Sequence, residues 1–323
     1  MKPFESFLAR NFEHYIRYRQ NLGYSARTMS SHLRQFDRYL AQNQIKPEAL
    51  QPAFFLQLKH RLHQEPRSIN HLFSTLRLFF KYQQHKGACA HNPLQDVPPL
   101  SERHYMPYLF SPEQTDQLLC SFCKKLHKDQ AGFLKNSGIY LALLLLARCG
   151  LRISEPLRLF RSHYRSSENS LYIEKTKFKK DRLIPIPQSV AIEIENYLQL
   201  RKTLLADDRN PYLLAGSNHK GLSQNQIRRV FHLCVRDIGL TASRTTMANT
   251  TFGSPTPHSL RHSFAVNTLK RIKLQGKSPQ NALPVLAAYM GHIEYKYTLK
   301  YLKCLDAEQR QGLVHFVTSQ GAL

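Results

Sequence analysis

The chain has 323 residues, with 46 Lys and Arg against 22 Asp and Glu, a formal net charge of +24, and 42% hydrophobic residues. That length suits two domains at roughly 100–200 residues each, and the apolar content excludes a disordered chain. A positive field of this strength favours a polyanionic partner, nucleic acid being the commonest; a ribosome-associated protein and a membrane-surface binder are the blander readings.

The first stretch, Met1 to Arg19, is broken by Glu5, Arg10, Glu13, His14, Arg17 and Arg19, so no secretory leader is expected. Helical spacing then dominates. Phe4, Phe7, Leu8, Phe12, Tyr15 and Ile16 recur at threes and fours, as do Leu33, Phe36 and Leu40, and again Leu72, Phe73, Leu76, Phe79 and Phe80. The pattern predicts about four helices between Phe4 and Gln84, with Ser25 as the N-cap of one and Pro47 and Pro66 as punctuation. The polar faces carry Arg17, Arg19, Arg27, Arg34, Arg38, Lys59, Arg61, Arg67 and Arg77. These suit contacts to phosphates, or equally an ordinary solvated face.

Pro93, Pro98 and Pro99 cannot continue a helix, so 89–108 reads as a linker between a helical domain at 1–88 and a second domain at 109–323. Ser111-Pro112-Glu113-Gln114 has the signature of a helix start. The longest apolar run, Ile139 to Ala147, falls short of the ~20 residues that a membrane span needs and reads as a buried helix. Gly150 is placed to close that helix, which puts Arg152 at a junction between elements. An isolated Gly-Leu-Arg carries little by itself.

Leu171–Glu174 and Arg182–Ile186 read as two short strands. The basic tip between them, Lys175 to Asp181, can bring a lysine to a phosphate or merely protect a sheet edge. Helices are predicted over 189–204 and 223–237, then a loop over Gly239–Pro257, rich in Ser, Thr, Asn and Pro. Pro257 leads into a helix on which His258 and Arg261 share one face. His262 lies four after His258, a spacing that also fits a metal pair. No Glu stands between them as in a zinc-protease helix, however, and Arg261 would repel a cation. His292 follows Gly291 at the end of another helix, and Tyr295, Tyr297 and Tyr301 follow in turn. The six cysteines are scattered. Cys120 and Cys123 form the one close pair, with no second pair at zinc-like spacing, so reduced thiols and no metal or cofactor are expected.

The specific signal is order and spacing. Gly150-Leu151-Arg152-Ile153-Ser154-Glu155, then Thr176-Lys177 in a hairpin, His258-Ser259-Leu260-Arg261-His262-Ser263-Phe264, Gly291-His292, and Tyr301 nine positions on together resemble the tyrosine recombinase (phage integrase) family, closest to its Xer-like integrases. The resemblance runs through the second domain and, more loosely, the first. It implies a mainly α fold with a small antiparallel β-sheet in the catalytic domain, and a two-domain C-shaped clamp around duplex DNA built from a helical core-binding domain and that catalytic domain. It implies Arg152, Lys177, His258, Arg261, His292 and Tyr301 as catalytic residues, with Glu155 in support and Lys175 and Lys179 as fallbacks for Lys177.

The implied chemistry is attack of Tyr301 on a DNA phosphate. His258 takes its proton, Lys177 protonates the leaving 5′ oxygen, and a 3′-phosphotyrosine bond conserves the energy, so neither ATP nor metal is needed. The implied partners are double-stranded DNA with inverted-repeat core sites, three further copies of the chain (or a related recombinase) in a tetramer, and DNA-bending or directionality factors. The expected setting is the bacterial cytoplasm, on the nucleoid. The resemblance also implies a C-terminal helix past Asp306 that docks into a neighbouring protomer. Two rivals share the fold: an inactive DNA-binding accessory protein, and a type IB topoisomerase.

Overall fold

The computed structural model describes residues 3–124, 130–174, 181–205, 207–216, 219–292, 294–303 and 305. The chain divides into two compact units between Arg103 and His104.

The first unit holds α1 (Ala9–Asn21), α2 (Arg27–Gln42), α3 (Pro52–Arg61) and α4 (Pro66–His85), with a 3-10 turn at Pro47–Ala49. Pro52 and Pro66 each occupy a first helical position, where their missing N–H costs nothing. α2 starts with Ala26, not Ser25, at its N-cap. The helices close on an aromatic core in which Phe12 and Phe79 lie 4.7 Å apart and Phe55 and Phe80 5.6 Å apart, in tilted and edge-on contacts that suit ring quadrupoles. The Asp37 carboxylate accepts the backbone N–H groups of Glu5 and Ser6, both at 2.9 Å, which ties the segment before α1 to α2.

Leu94 and Val97 are buried in this same core. Arg77 donates to the carbonyls of Leu94 and Val97, and buried Lys59 donates to that of Pro98. These two cations therefore pin the proline-rich stretch, and their sequence reading as part of a phosphate-facing set does not describe what they touch.

The second unit runs β1 (His104–Met106), α5 (Pro112–Cys123), α6 (Gln130–Cys149), β2 (Tyr164–Arg165), β3 (Ser170–Ile173), β4 (Arg182–Pro185), α7 (Gln188–Leu204), α8 (Gln224–Asp237), β5 (Thr245–Met247), β6 (Thr250–Phe252), α9 (Pro257–Leu274) and α10 (Pro279–Met290). A further helical segment covers 296–303. α5 begins with the capping box that its sequence predicts: Ser111 Oγ accepts the Gln114 N–H, and the Gln114 side chain accepts the Ser111 N–H.

The Ile139–Ala147 stretch of α6 is apolar on all sides because it sits in the middle, with α6 packed by α5, α7, α8 and α9. β2, β3 and β4 form a small antiparallel sheet in which Leu171 pairs with Ile184 and Ile173 with Arg182. The stretch Gly239–Pro257, expected as a loop, carries β5 and β6. They pair antiparallel, and β6 runs parallel to β1 with Tyr105 opposite Thr251. Three-residue strands leave no alternation to read, and the partner of β6 lies far upstream. The fold is thus mainly helical with small sheets. Among the described residues, no helix is long and apolar enough to cross a membrane.

Candidate active site

The site forms where the C-terminal ends of α6 and α10 meet α9. A helix C-terminus leaves carbonyls without intrahelical partners and carries a partial negative charge. Three arginines take up those carbonyls. At the end of α10, Arg182 Nε donates to Tyr289 at 2.8 Å, Arg261 Nη2 donates to Met290, and Arg152 Nη2 donates to Gly291 at 2.8 Å. At the end of α6, Arg261 Nη1 donates to Gly150 at 2.6 Å. Both helices end on a left-handed glycine, Gly150 at φ +59° and Gly291 at φ +64°, which turns each carbonyl towards its arginine.

Glu155 lies between these cations. Its carboxylate accepts Arg152 Nη1 at 2.9 Å and the Arg152 backbone N–H at 2.8 Å, and it accepts both Arg182 Nη atoms, at 3.2 and 2.9 Å. Burial works to raise the Glu155 pKa. The hydrogen bonds and charge of Arg182, the Arg152 N–H and the Arg261 charge outweigh it and hold the carboxyl below its usual range. Burial, and next the like charge of Arg152, oppose the cation on Arg261, which Glu155 favours; a guanidinium nevertheless stays charged at neutral pH. Three guanidiniums around one carboxylate leave excess positive charge at a site only partly open to solvent. Such a site is electrostatically suited to an anion.

The imidazoles come from α9 and the turn after α10. Pro257 at the first position and Thr256 before it set the start of α9, with the Thr256 N–H donating to Ser259 Oγ at 3.1 Å. His258 is exposed on the surface of α9, and Arg261 and His262 are buried beneath it. Crowding by protein, then Arg261, Lys300 and Arg152, push the His258 pKa down to about 4, a shift that solvent at its open face tempers. His292 directs Nδ1 at Thr298 Oγ1, 2.8 Å away, and burial, then Arg261 and Arg152, lower its pKa to about 3. Both rings are therefore neutral at pH 7 and able to accept a proton or a hydrogen bond.

Of the three tyrosines, Tyr295 and Tyr297 are 44% and 47% exposed, whereas Tyr301 is 1% exposed. Tyr301 packs among Ala265, Val266, Leu283 and Met290, with the His292 ring stacked 6.2 Å away and Lys300 Nζ 5.2 Å from its ring centre. Its hydroxyl lies 3.0 Å from Nδ1 of His262.

The structure thus gathers Arg152, Glu155, Arg261, His292 and Tyr301, with His258 at the edge. Lys177, Lys175 and Lys179 lie outside the described residues, as does the chain past Asp306. Sequence reading missed Arg182, which appeared there only as the first residue of a predicted strand, and it gave His262 no part beyond a rejected metal pair. The pairing of Arg182 with Ile173 in the sheet, facing the end of α10, is what no local pattern displays.

Residues 111–308 match the family model described as the phage integrase family. A Sinorhizobium fredii protein named integrase/recombinase y4rE is 29% identical over 305 residues, covering 94% of this chain and 93% of that protein. Tyrosine recombinase XerA of Pyrococcus furiosus is 29% identical over 253 residues, 77% of this chain and 75% of its own length. Among solved structures, a lambda integrase tetramer bound to a Holliday junction superposes with a TM-score of 0.62 at 16% identity, over 90% of this chain and 78% of that one. With the family model spanning most of the second unit and both relatives extending into the first, the chain belongs to the phage integrase family of tyrosine recombinases.

Proposed function

We propose that this recombinase cuts and rejoins duplex DNA through a covalent bond between Tyr301 and a 3′ phosphate. The observation that carries this reading is the buried Tyr301 hydroxyl in the same site as Arg152 and Arg182, which share the Glu155 carboxylate, and Arg261, which donates to the Gly150 carbonyl. Arg152 and Arg261 bind the non-bridging oxygens of the scissile phosphate, where charge grows in the transition state. Glu155 aims Arg152. His258, on the open side of α9, and His292, held by Thr298, add hydrogen bonds to the same phosphate, and Lys177 protonates the departing 5′ oxygen. The phosphotyrosine keeps the energy of the broken bond, so a second 5′ hydroxyl restores DNA without ATP or a metal ion.

On this reading the helical residues 1–88 form the core-binding domain, 89–108 the linker and 109–323 the catalytic domain, with the C-terminal helix docked on a neighbour. The protein works on the bacterial nucleoid as a tetramer on paired inverted-repeat core sites, in the integration or excision of a mobile element, with bending or directionality factors. A lambda integrase tetramer on a Holliday junction supports that assembly by its fold alone.

The test is covalent capture. A pool of nicked duplexes with a randomised core is incubated with the protein in EDTA, and the DNA that stays attached after denaturation is sequenced. The expected result is one enriched site, an adduct that Tyr301→Phe abolishes, and DNA binding that Tyr301→Phe retains. An adduct that survives in Tyr301→Phe assigns the nucleophile elsewhere.

A further inference from the structure

The Tyr301 hydroxyl faces a buried imidazole that lies apart from the open side of the site. His262 Nδ1 stands 3.0 Å from Tyr301 Oη, inside the core and behind His258, whose ring meets the His262 ring edge-on at 4.5 Å. His262 is 6% exposed, whereas His258 is open to solvent. The two histidines one turn apart thus face different things: His258 the open side of the site, His262 the nucleophile.

We propose that His262 is the proton acceptor for Tyr301, a role that the sequence pattern placed on His258. This rests on Tyr301 being the nucleophile. In cleavage the Tyr301 Oη–phosphorus bond forms as the phosphorus–O5′ bond breaks. The phenol proton passes to His262 Nδ1, and the proton for O5′ comes from Lys177. In rejoining, the 5′ hydroxyl of the incoming strand attacks and gives its proton to Lys177, and His262 returns its proton to the departing phenolate. No proton is gained or lost over the cycle.

The geometry meets the requirement for a general base, which must lie within about 2.6–3.2 Å of the atom that it deprotonates. The acceptor form is the neutral ring with its proton on Nε2, and the surroundings enforce neutrality. Burial, and then Lys300, the His258 ring when protonated, Arg261, and the His292 ring when protonated, push the His262 pKa down to about 2. A base that weak would serve poorly in an empty site. The cations that act on it, Arg261 from α9 and Lys300 from the 296–303 segment, however, belong to the site assigned to the phosphate. An anion bound there offsets their charge, and His262 becomes more basic when substrate arrives. Tyr301 is therefore activated only in a DNA-filled site, which guards against idle phenolate.

The experiment uses the full-length protein and the captured site, with the scissile 5′ bridging atom either oxygen or sulfur. A thiolate leaves without a proton, so the sulfur substrate removes the need for the acid and isolates activation of the tyrosine. His262→Phe is expected to form adduct about 10²-fold more slowly on both substrates. Lys177→Ala is expected to be slow on oxygen and close to wild type on sulfur. His262→Asn keeps an acceptor near the position of Nδ1 but no base, and serves if the Phe variant fails to fold. It is expected to stay at least tenfold slow on both substrates, and to recover partly as pH rises towards 9.5. Recovery of His262→Asn to within threefold of wild type at pH 7 makes the residue a positioning group and overturns the proposal, as does rescue of either His262 variant by sulfur. If Tyr301→Phe still forms adduct, the underlying reading fails first, and the two failures are distinguishable.

Discussion

Arg182 and Glu155 meet in a two-pronged ion pair, Nη1 to Oε1 at 3.2 Å and Nη2 to Oε2 at 2.9 Å, with both side chains buried. The pair joins β4 to the turn that carries Arg152. Removing one partner of a buried pair leaves a charge without its counterpart, typically at a cost of 3–5 kcal/mol. Arg152 still covers part of Glu155, so Arg182→Ala is expected near the lower end, about 3 kcal/mol by urea denaturation, with slower adduct formation besides. Arg182→Lys keeps the charge but not the planar fork, and recovers less than half of that loss. A loss under about 1 kcal/mol for Arg182→Ala rules out this coupling.

Stability falls with acid in two windows. A buried histidine kept neutral takes up its proton more readily when unfolded, so its contribution is complete above the unfolded pKa of ~6.5 and declines as pH drops. His262, with a folded pKa pushed down to about 2 first by burial and then by Lys300, is the clearest case. It adds a slope of up to about 1.4 kcal/mol per pH unit below pH 6. Glu155 has a depressed pKa, so its contribution is present above the unfolded value of ~4.3 and is lost as pH falls through the folded one. Denaturation at pH 8, 7, 6 and 5 should show the first decline, flattened by His262→Gln but not by Glu155→Gln. Below pH 4.5 the decline should steepen, and there Glu155→Gln flattens it as well as His262→Gln.

Much of this site was legible in the sequence because its parts are single residues beside turn-formers: Arg152 after Gly150, His292 after Gly291, His258 after Pro257. Glycine and proline mark where elements end, and a polar residue next to such an end is free to serve a site. The unread parts join residues far apart. Arg182 reaches Glu155 across 27 positions and the Tyr289 carbonyl across 107, so only the folded sheet reveals its use. His262 sits in mid-helix between Arg261 and Ser263, where position alone does not separate a core histidine from a working one. β1 and β6 are three-residue strands that pair across the whole unit, below the length at which periodicity speaks.

Burial separates the tyrosines more sharply than spacing does. Tyr295→Phe and Tyr297→Phe remove hydroxyls from side chains that are about half exposed, so each is expected to keep adduct formation within about threefold of wild type and stability within about 0.5 kcal/mol. Tyr301→Phe keeps the buried ring and removes only the hydroxyl that faces His262, so its fold should survive while its chemistry does not. Adduct formation at equal protein concentration, with thermal melts of all three variants, checks this. Loss of the adduct in Tyr297→Phe alone would move the nucleophile.

The two left-handed glycines should fail in different ways when given a side chain. Either alanine pays the left-handed penalty of about 1–2 kcal/mol. At Gly150 the new Cβ would also stand 2.3 Å from Cδ1 of Phe264, a packed ring on α9 that cannot swing away cheaply. At Gly291 it would stand 2.9 Å from Nη1 of Arg182, the far end of a longer side chain that can give. Gly150→Ala should therefore lose more stability, in excess of about 2 kcal/mol, because core packing adds to backbone strain. Gly291→Ala should lose less stability but proportionately more activity. Its carbonyl orients Arg152 at 2.8 Å, and pushing Arg182 disturbs the carboxylate that the two arginines share. Denaturation midpoints set beside adduct rates on the captured site separate the two, and equal losses in both measurements for both variants would show that the glycines only shape the fold.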